Sequence, residues 1–310
     1  MTRQSVAFTV SVASALLGCS AGGGRARTTS PSAAVPTRAD STAAAVTAPR
    51  RIAYGAAPSQ FAELRVPPGP GPHPVVLLLH GGCWKREFGS LSALAAMADS
   101  LTANGVATWN VEYRRVGEPG AGWPGSFTDV ASALALLRKV APAQRLDLSR
   151  VVILGHSAGG TLALWLARQE RGGAPRTDAE HPRARGVVSL AGVTDLEERA
   201  RAPGAGACSL RAVESLLGGS PAEVPERYAA ASPIRLLPLG MPQVHIWGRE
   251  DVMLPVRYGE AMVDAATRMG ESARLVLVDG AGHFEIAKPV GPPWPIVREA
   301  IRSLLDRPRP

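Results

Sequence analysis

From about residue 51 the chain switches repeatedly between two hydrophobic periods. Gln60–Val66 alternates weakly between apolar and polar residues, which suits an early antiparallel strand with one covered face. Val75–Leu79 is an unbroken run of Val and Leu, the mark of a strand buried on both faces. Ser90–Ala103 carries helical spacing and stops at Asn104-Gly105, a helix-ending pair. Val106–Val111 reads as the next strand, and Phe127–Val140 as a helix with Ser126 or Thr128 near its start. A strand over Val151–Leu154 then runs into a helix from Ala158 to about Arg168. Further strands are predicted at Gly186–Leu190, Gln243–Trp247 and Leu275–Val278, with helices at Val256–Met269 and Pro295–Leu305. Strands that alternate with helices predict an α/β fold, with a mostly parallel central sheet and helices on both faces. The stretch from about 195 to 240 breaks the pattern. It is rich in Pro, Gly and Ala, with one short helical piece at Leu210–Leu217. It reads as a small cap inserted over the carboxyl edge of the sheet, where such sheets carry their sites.

The first 50 residues do not share these periods. Arg3 gives a thin positive start, and Val6 to Leu17 is apolar but too short to span a bilayer as a lasting helix. Leu16-Leu17-Gly18-Cys19 resembles a bacterial lipoprotein signal, in which the cysteine becomes the lipidated first residue. Residues 1–18 are therefore expected to be a signal peptide, and Cys19 a lipid anchor to the membrane. Residues 19–50 hold almost no large apolar side chain and read as a flexible tether. The folded domain then covers 51–310, in an exported protein of the bacterial cell envelope.

Composition narrows the choice. Of the 310 residues 45% are hydrophobic, enough for one large core. The net charge of +8 comes from Arg scattered among Asp and Glu, without a basic stripe or an RNP-like motif, so no nucleic-acid partner is expected. Beyond Cys19, Cys83 and Cys208 remain. In an oxidising compartment two readings stay open, a disulfide between them or two separate thiols.

The candidate chemistry lies at four predicted strand ends. Gly155-His156-Ser157-Ala158-Gly159 sits between a strand and a helix, as a nucleophile elbow does. An exposed serine needs a base, and the base needs an orienting acid. Of the six histidines, His283 in Gly280-Ala281-Gly282-His283-Phe284 follows the last strand and can reach the carboxyl edge. His156 occupies the elbow itself and is expected to point away. Asp251 follows Gln243–Trp247 and falls between serine and histidine in chain order, with Asp195 and Glu250 as rivals. His80-Gly81-Gly82-Cys83-Trp84 follows the buried strand Val75–Leu79. The N–H groups of Gly81 and Gly82, and that of Ala158, are the candidate oxyanion donors. Trp84 and Trp123 are candidates for lining the pocket, and Asp129 for capping a helix. The sequence holds no H-E-x-x-H and no convincing dinucleotide fingerprint, so neither metal nor organic cofactor is implied.

Taken together, these motifs resemble the α/β-hydrolase superfamily. Within it the chain is similar to esterases of the hormone-sensitive-lipase type and the related feruloyl-esterase and kynurenine-formamidase group. The residues that carry this are His80-Gly81-Gly82-x-Trp84, Tyr113-Arg114-Arg115, Gly122-Trp123-Pro124 with Asp129, the elbow, Gly192-Val193-x-Asp195-Leu196, Asp251 and His283-Phe284-Glu285-Ile286. The resemblance covers about 55–306. It implies a serine hydrolase acting on a small-molecule carboxylic ester through an acyl-enzyme. The alternatives are an aryl formamide or feruloyl-type ester as substrate, or an inactive tethered binding protein.

Overall fold

A computed structural model describes residues 48–172, 183–202 and 210–308. The signal peptide, Cys19, most of the tether and Cys208 lie outside these residues. Eight strands form a single sheet: β1 (Arg50–Ala53), β2 (Phe61–Arg65), β3 (His73–Leu79), β4 (Ala107–Val111), β5 (Leu146–His156), β6 (Gly186–Leu190), β7 (Gln243–Gly248) and β8 (Ala273–Val278). Their order across the sheet is β1-β2-β4-β3-β5-β6-β7-β8. β1 pairs antiparallel with β2, and β2 with β4. Every other pairing is parallel.

Among the described residues, eight α-helices accompany the strands: α1 (Ala95–Ala103), α2 (Gly125–Val140), α3 (Ala158–Gly172), α4 (Leu196–Arg201), α5 (Leu210–Leu217), α6 (Pro225–Ala231), α7 (Arg257–Arg268) and α8 (Pro293–Leu305). The central strands are covered on both faces. On β6, Gly186 faces Leu304 of α8, whereas Ser189, three residues on, faces Gly160 of α3. Positions an odd number apart on a strand point to opposite faces, so α3 and α8 lie on opposite sides. Val75 to Leu79 are accordingly all fully buried. Each such side chain contributes roughly 1.5–3 kcal/mol of apolar burial.

The connections decide where a site can form. The chain leaves β3 for β4 in one direction, then returns through α2 to β5 on β3's other side. The order reverses at β3, and a crevice opens there between the carboxyl ends of β3 and β5. His80-Gly81-Gly82 follows β3, and Ser157 follows β5.

Several elements differ from expectation. The helix expected over Ser90–Ala103 begins as a 3-10 turn, Leu91–Leu94, with the Ser90 hydroxyl accepting from Ser92 N–H. β5 starts at Leu146. Its first half is only partly buried, so it lacks the apolar run that marks Val151–Leu154. Arg50 belongs to the mostly exposed edge strand β1 rather than to the tether. The cap region holds α4, α5 and α6 and a 3-10 turn, Pro233–Leu236, where one helical piece was expected. α4 and α6 have six and seven residues, too few turns for a periodic stripe.

Candidate active site

The site begins with a forced turn. β5 ends at His156 and α3 starts at Ala158, so Ser157 alone must reverse the chain, and it does so at φ +53°. A non-glycine residue held in that region costs about 1–3 kcal/mol. Two backbone hydrogen bonds hold it, Ser157 N–H to Leu190 O and Gly160 N–H to Ser157 O, both 2.8 Å. The flanking glycines are there for space. A Cβ on Gly155 would stand 2.1 Å from Gly159 O, and one on Gly159 2.1 Å from Leu79 O. Both obstacles are backbone atoms that cannot swing away.

Three loops meet at this turn. His283, after β8, places Nε2 2.9 Å from Ser157 Oγ and Nδ1 2.7 Å from Asp251 Oδ2. Asp251, after β7, is fixed in turn, because its Oδ1 accepts from the N–H groups of Met253 (2.9 Å) and Leu254 (2.8 Å). All three side chains are buried. The two rival acids are occupied elsewhere. Asp195 caps α4, accepting from Glu197 N–H and Glu198 N–H, and Glu250 accepts from Gly280 N–H.

His156 is part of the site rather than turned away from it. Its Nε2 lies 2.8 Å from His283 O, and its ring lines the same cavity. Burial, aided by the nearby His283, pushes its pKa down to about 4. The neutral ring therefore donates Nε2–H to His283 O and ties the His283 backbone to the elbow. The sequence carried no signal of this beyond the residue's place in the turn.

Beside Ser157, Gly81 and Gly82 border a cavity of about 350 Å³. A Cβ on Gly81 would lie 3.1 Å from Ser157 Cβ, so this loop passes against the elbow serine. Ala158 is the first residue of α3, where an N–H has no partner within the helix. Phe88, Met253, Phe284 and Lys288 are among the residues of its walls.

The two tryptophans are placed elsewhere. Trp84 is buried in the core and donates its indole N–H to Ala158 O at 3.0 Å. Trp123 packs edge-on to Phe127, with ring centroids 5.0 Å apart. Neither lines the cavity. A tryptophan beside a motif is as readily drawn into the core, because its large apolar surface gains most there. Asp129 is no helix cap. It lies inside α2 and pairs with Arg114 through both carboxylate oxygens, while also accepting from Gln60. Cys83 is disulfide-bonded, and the other two cysteines are outside the described residues. Among the described residues no group of His, Cys, Asp and Glu is arranged to hold a metal ion.

The fold and family can be placed by comparison. No protein of curated function matches the chain. Among solved structures, a truncated carbohydrate esterase from gut microbiota superposes with a TM-score of 0.71 at 20% identity, covering 84% of this chain and 98% of that one. A bacterial heroin esterase gives 0.67 at 22% identity, covering 86% of each chain. Esterase B from Lactobacillus rhamnosus gives 0.69 at 20% identity, covering 82% of this chain and 83% of that one. At such identities the likeness concerns the fold, which is the α/β-hydrolase fold. The family model described as BD-FAE matches residues 64–265, well over half of the chain and the stretch that holds the elbow, the glycine loop and Asp251, and this protein therefore belongs to the BD-FAE family.

Proposed function

We propose that this protein is a carboxylic ester hydrolase that works through an acyl-enzyme on Ser157. The observation that carries the reading is the unbroken chain Ser157 Oγ–His283–Asp251, with links of 2.9 and 2.7 Å. Asp251 accepts a hydrogen bond from His283 Nδ1–H, which leaves the Nε2 lone pair facing the serine hydroxyl. His283 takes that proton as Oγ attacks the ester carbonyl. The N–H groups of Gly82 and Ala158, with that of Gly81 nearby, receive the developing oxyanion. His283 then protonates the leaving alcohol, and a water activated by the same base releases the acid. No step calls on a metal or organic cofactor.

The cavity walls favour an apolar or aromatic group on the substrate, because Phe88 and Phe284 stand half-exposed at its mouth. An aryl ester or aryl formamide is the second reading for that reason. We further propose that the chain is exported and held at the bacterial envelope by lipid on Cys19. No helix among the described residues is long and apolar enough to cross a membrane.

The test is direct. Ser157→Ala should lower turnover of a short p-nitrophenyl ester by several orders of magnitude and abolish labelling by a fluorophosphonate probe. Retained turnover in the folded variant would overturn the assignment.

A further inference from the structure

The arginines scattered along the sequence are gathered by the fold. β3 to β8 all start at one edge of the sheet, and α2, α3, α7 and α8, each following a strand, end at that same edge. Their last turns carry Arg138 and Lys139, Arg171, Arg268 and Arg302. A cation gains from the dipole of a helix C-terminus, which accounts for these. It does not account for Arg50, Arg145, Arg183, Arg185 and Arg274, which stand at the starts of β1, β5, β6 and β8. Pairing separates the two edges further. At this amino edge Arg138 and Arg150 are neutralised by Glu170 and Asp306, at 2.5 and 2.6 Å. Asp147 and Glu271 accept from backbone donors, Ser149 N–H and Leu239 N–H. Lys139, Arg145, Arg268, Arg274, Arg302 and Arg307 are exposed and make no ion pair among the described residues. At the site edge, by contrast, Arg201, Arg249, Arg257 and Lys288 each hold a carboxylate within 3.1 Å.

We infer that the amino edge of the sheet is a docking face for an anionic lipid surface, which meets phospholipid headgroups with unpaired cations while the Ser157 cavity opens at the opposite edge. Each cation near such a surface adds to the attraction, which fades within a Debye length, ~10 Å at 0.1 M salt. β6 and β7 have five and six residues, and strands of that length span ~17–20 Å. The carboxylates of the site edge therefore lie beyond the screening length and do not cancel the face. A second cavity, of about 280 Å³, opens at the starts of β7 and β8 and is bordered by Arg274, Arg307, Ser272 and Ser303, a recess that suits a headgroup phosphate. Where the chain enters the domain selects lipid among polyanions. β1 pairs antiparallel with β2, and β2 with β4, so β1 runs parallel to the rest and the chain enters at this edge, at Arg50. The apolar run Val6 to Leu17 precedes Arg50 in that same chain.

The experiment uses the full chain carrying Cys19→Ser, so that no acyl chain contributes, and sedimentation with vesicles of phosphatidylcholine alone or with about one-third phosphatidylglycerol. This parent chain should bind the anionic vesicles at least about tenfold more tightly than the neutral ones at low salt, and the difference should vanish at high salt. Adding Lys139→Gln, Arg268→Gln, Arg274→Gln and Arg307→Gln together should lower anionic-vesicle binding at least about tenfold. Among the described residues only Arg274 of these four side chains makes a hydrogen bond, to Ser303 at 3.5 Å, so the fold should persist, and urea unfolding verifies it. A charge-matched set at the site edge, Arg86→Gln, Arg201→Gln, Arg249→Gln and Arg257→Gln together, should change binding by less than about twofold. A parent chain with no preference for anionic vesicles overturns the inference, whether or not either variant folds. Equal losses from the two sets overturn it too, because net charge and not a face would then hold the vesicle. Retention on duplex DNA without vesicle binding would give the face to another polyanion and overturns it as well.

Discussion

In the proposed mechanism, Asp251→Asn isolates what the acid does for the base. The wild-type carboxylate is held on one side by two backbone donors, Met253 N–H and Leu254 N–H, both on Oδ1. Its other oxygen faces His283 Nδ1 at 2.7 Å. An asparagine must choose which end faces which. Turning its NH₂ toward two N–H groups would forfeit two hydrogen bonds at about 1 kcal/mol each and leave buried donors unpaired, a further ~1 kcal/mol or more. About 3 kcal/mol corresponds to under ~1% of molecules in that orientation. The amide will therefore keep its oxygen on the backbone and present N–H to Nδ1. His283 must then carry its proton on Nε2, where it faces Ser157 and cannot accept. A neutral amide also fails to stabilise the imidazolium that forms, so kcat should fall by about 10³–10⁴, the scale seen when a triad base is locked in the wrong tautomer. Asp251→Ala leaves His283 free to choose its tautomer and should be no worse than the asparagine variant. The assay is kcat and KM on a short p-nitrophenyl ester, alongside urea unfolding to verify that both variants fold. A folded Asp251→Asn enzyme retaining more than about a tenth of wild-type kcat would refute the tautomer argument, and one clearly faster than Asp251→Ala would refute the orientation argument.

Asp195→Ala should leave kcat within about twofold while costing ~1 kcal/mol in denaturant unfolding, because its carboxylate only caps α4; a hundredfold drop in kcat would make it the acid after all. Gly159→Ala should destabilise by ~3 kcal/mol or more and abolish activity, since the new Cβ would meet Leu79 O at 2.1 Å and His80 O at 2.5 Å; near-wild-type melting would contradict the close approach. Burial pushes the His245 pKa down to about 4 in the folded chain, against ~6.5 when unfolded. The unfolded chain thus binds the extra proton between those values, and stability falls as the pH drops from about 6.5 to 4, by up to ~3 kcal/mol for this group. His245→Leu should flatten that part of the stability–pH curve, as measured by urea titrations at several pH values, while the contribution of His156 persists; an unchanged slope would mean that His245 is not buried neutral.

The parts of the site that could be read from the chain share one property: their position is local to a strand end. Ser157, Asp251 and His283 each follow an apolar run by a few residues, so locating the strand located the side chain. The same holds for Gly81 and Gly82 behind Val75–Leu79. The walls of the cavity obey no such rule. Phe88 sits in a loop whose course depends on Gly89 packing against Gly81 O, and no periodicity encodes that approach. Trp84 and Trp123 misled for the converse reason. They flank motif residues in sequence, yet Trp84 turns into the core and Trp123 onto α2. Asp129 carries a related lesson: near a helix start it looks like a cap, but Arg114, fifteen residues earlier, claims both of its oxygens. The pairing of His80 with Glu112 had no signal at all, since it depends on β3 and β4 lying side by side.

The strain at Ser157 ties fold and chemistry together. A glycine there would relax the backbone but remove the hydroxyl, and a residue in ordinary β or helical conformation would lengthen the turn between β5 and α3. With the reversal confined to one residue, Ser157 is followed at once by the first N–H of α3. That compactness is also what brings Gly155 and Gly159 to van der Waals limits against their neighbours. About 1–3 kcal/mol of local strain is small beside the burial around it. Val152, Ile153 and Leu154 in β5 and Leu162, Ala163 and Leu164 in α3 are all fully buried, and the larger of these contribute roughly 1.5–3 kcal/mol each. The strain persists because the packing on both sides of the turn fixes its ends, so the serine cannot relax without prying β5 from α3. Relieving the strain by substitution elsewhere in the turn should therefore displace the nucleophile before it stabilises the fold.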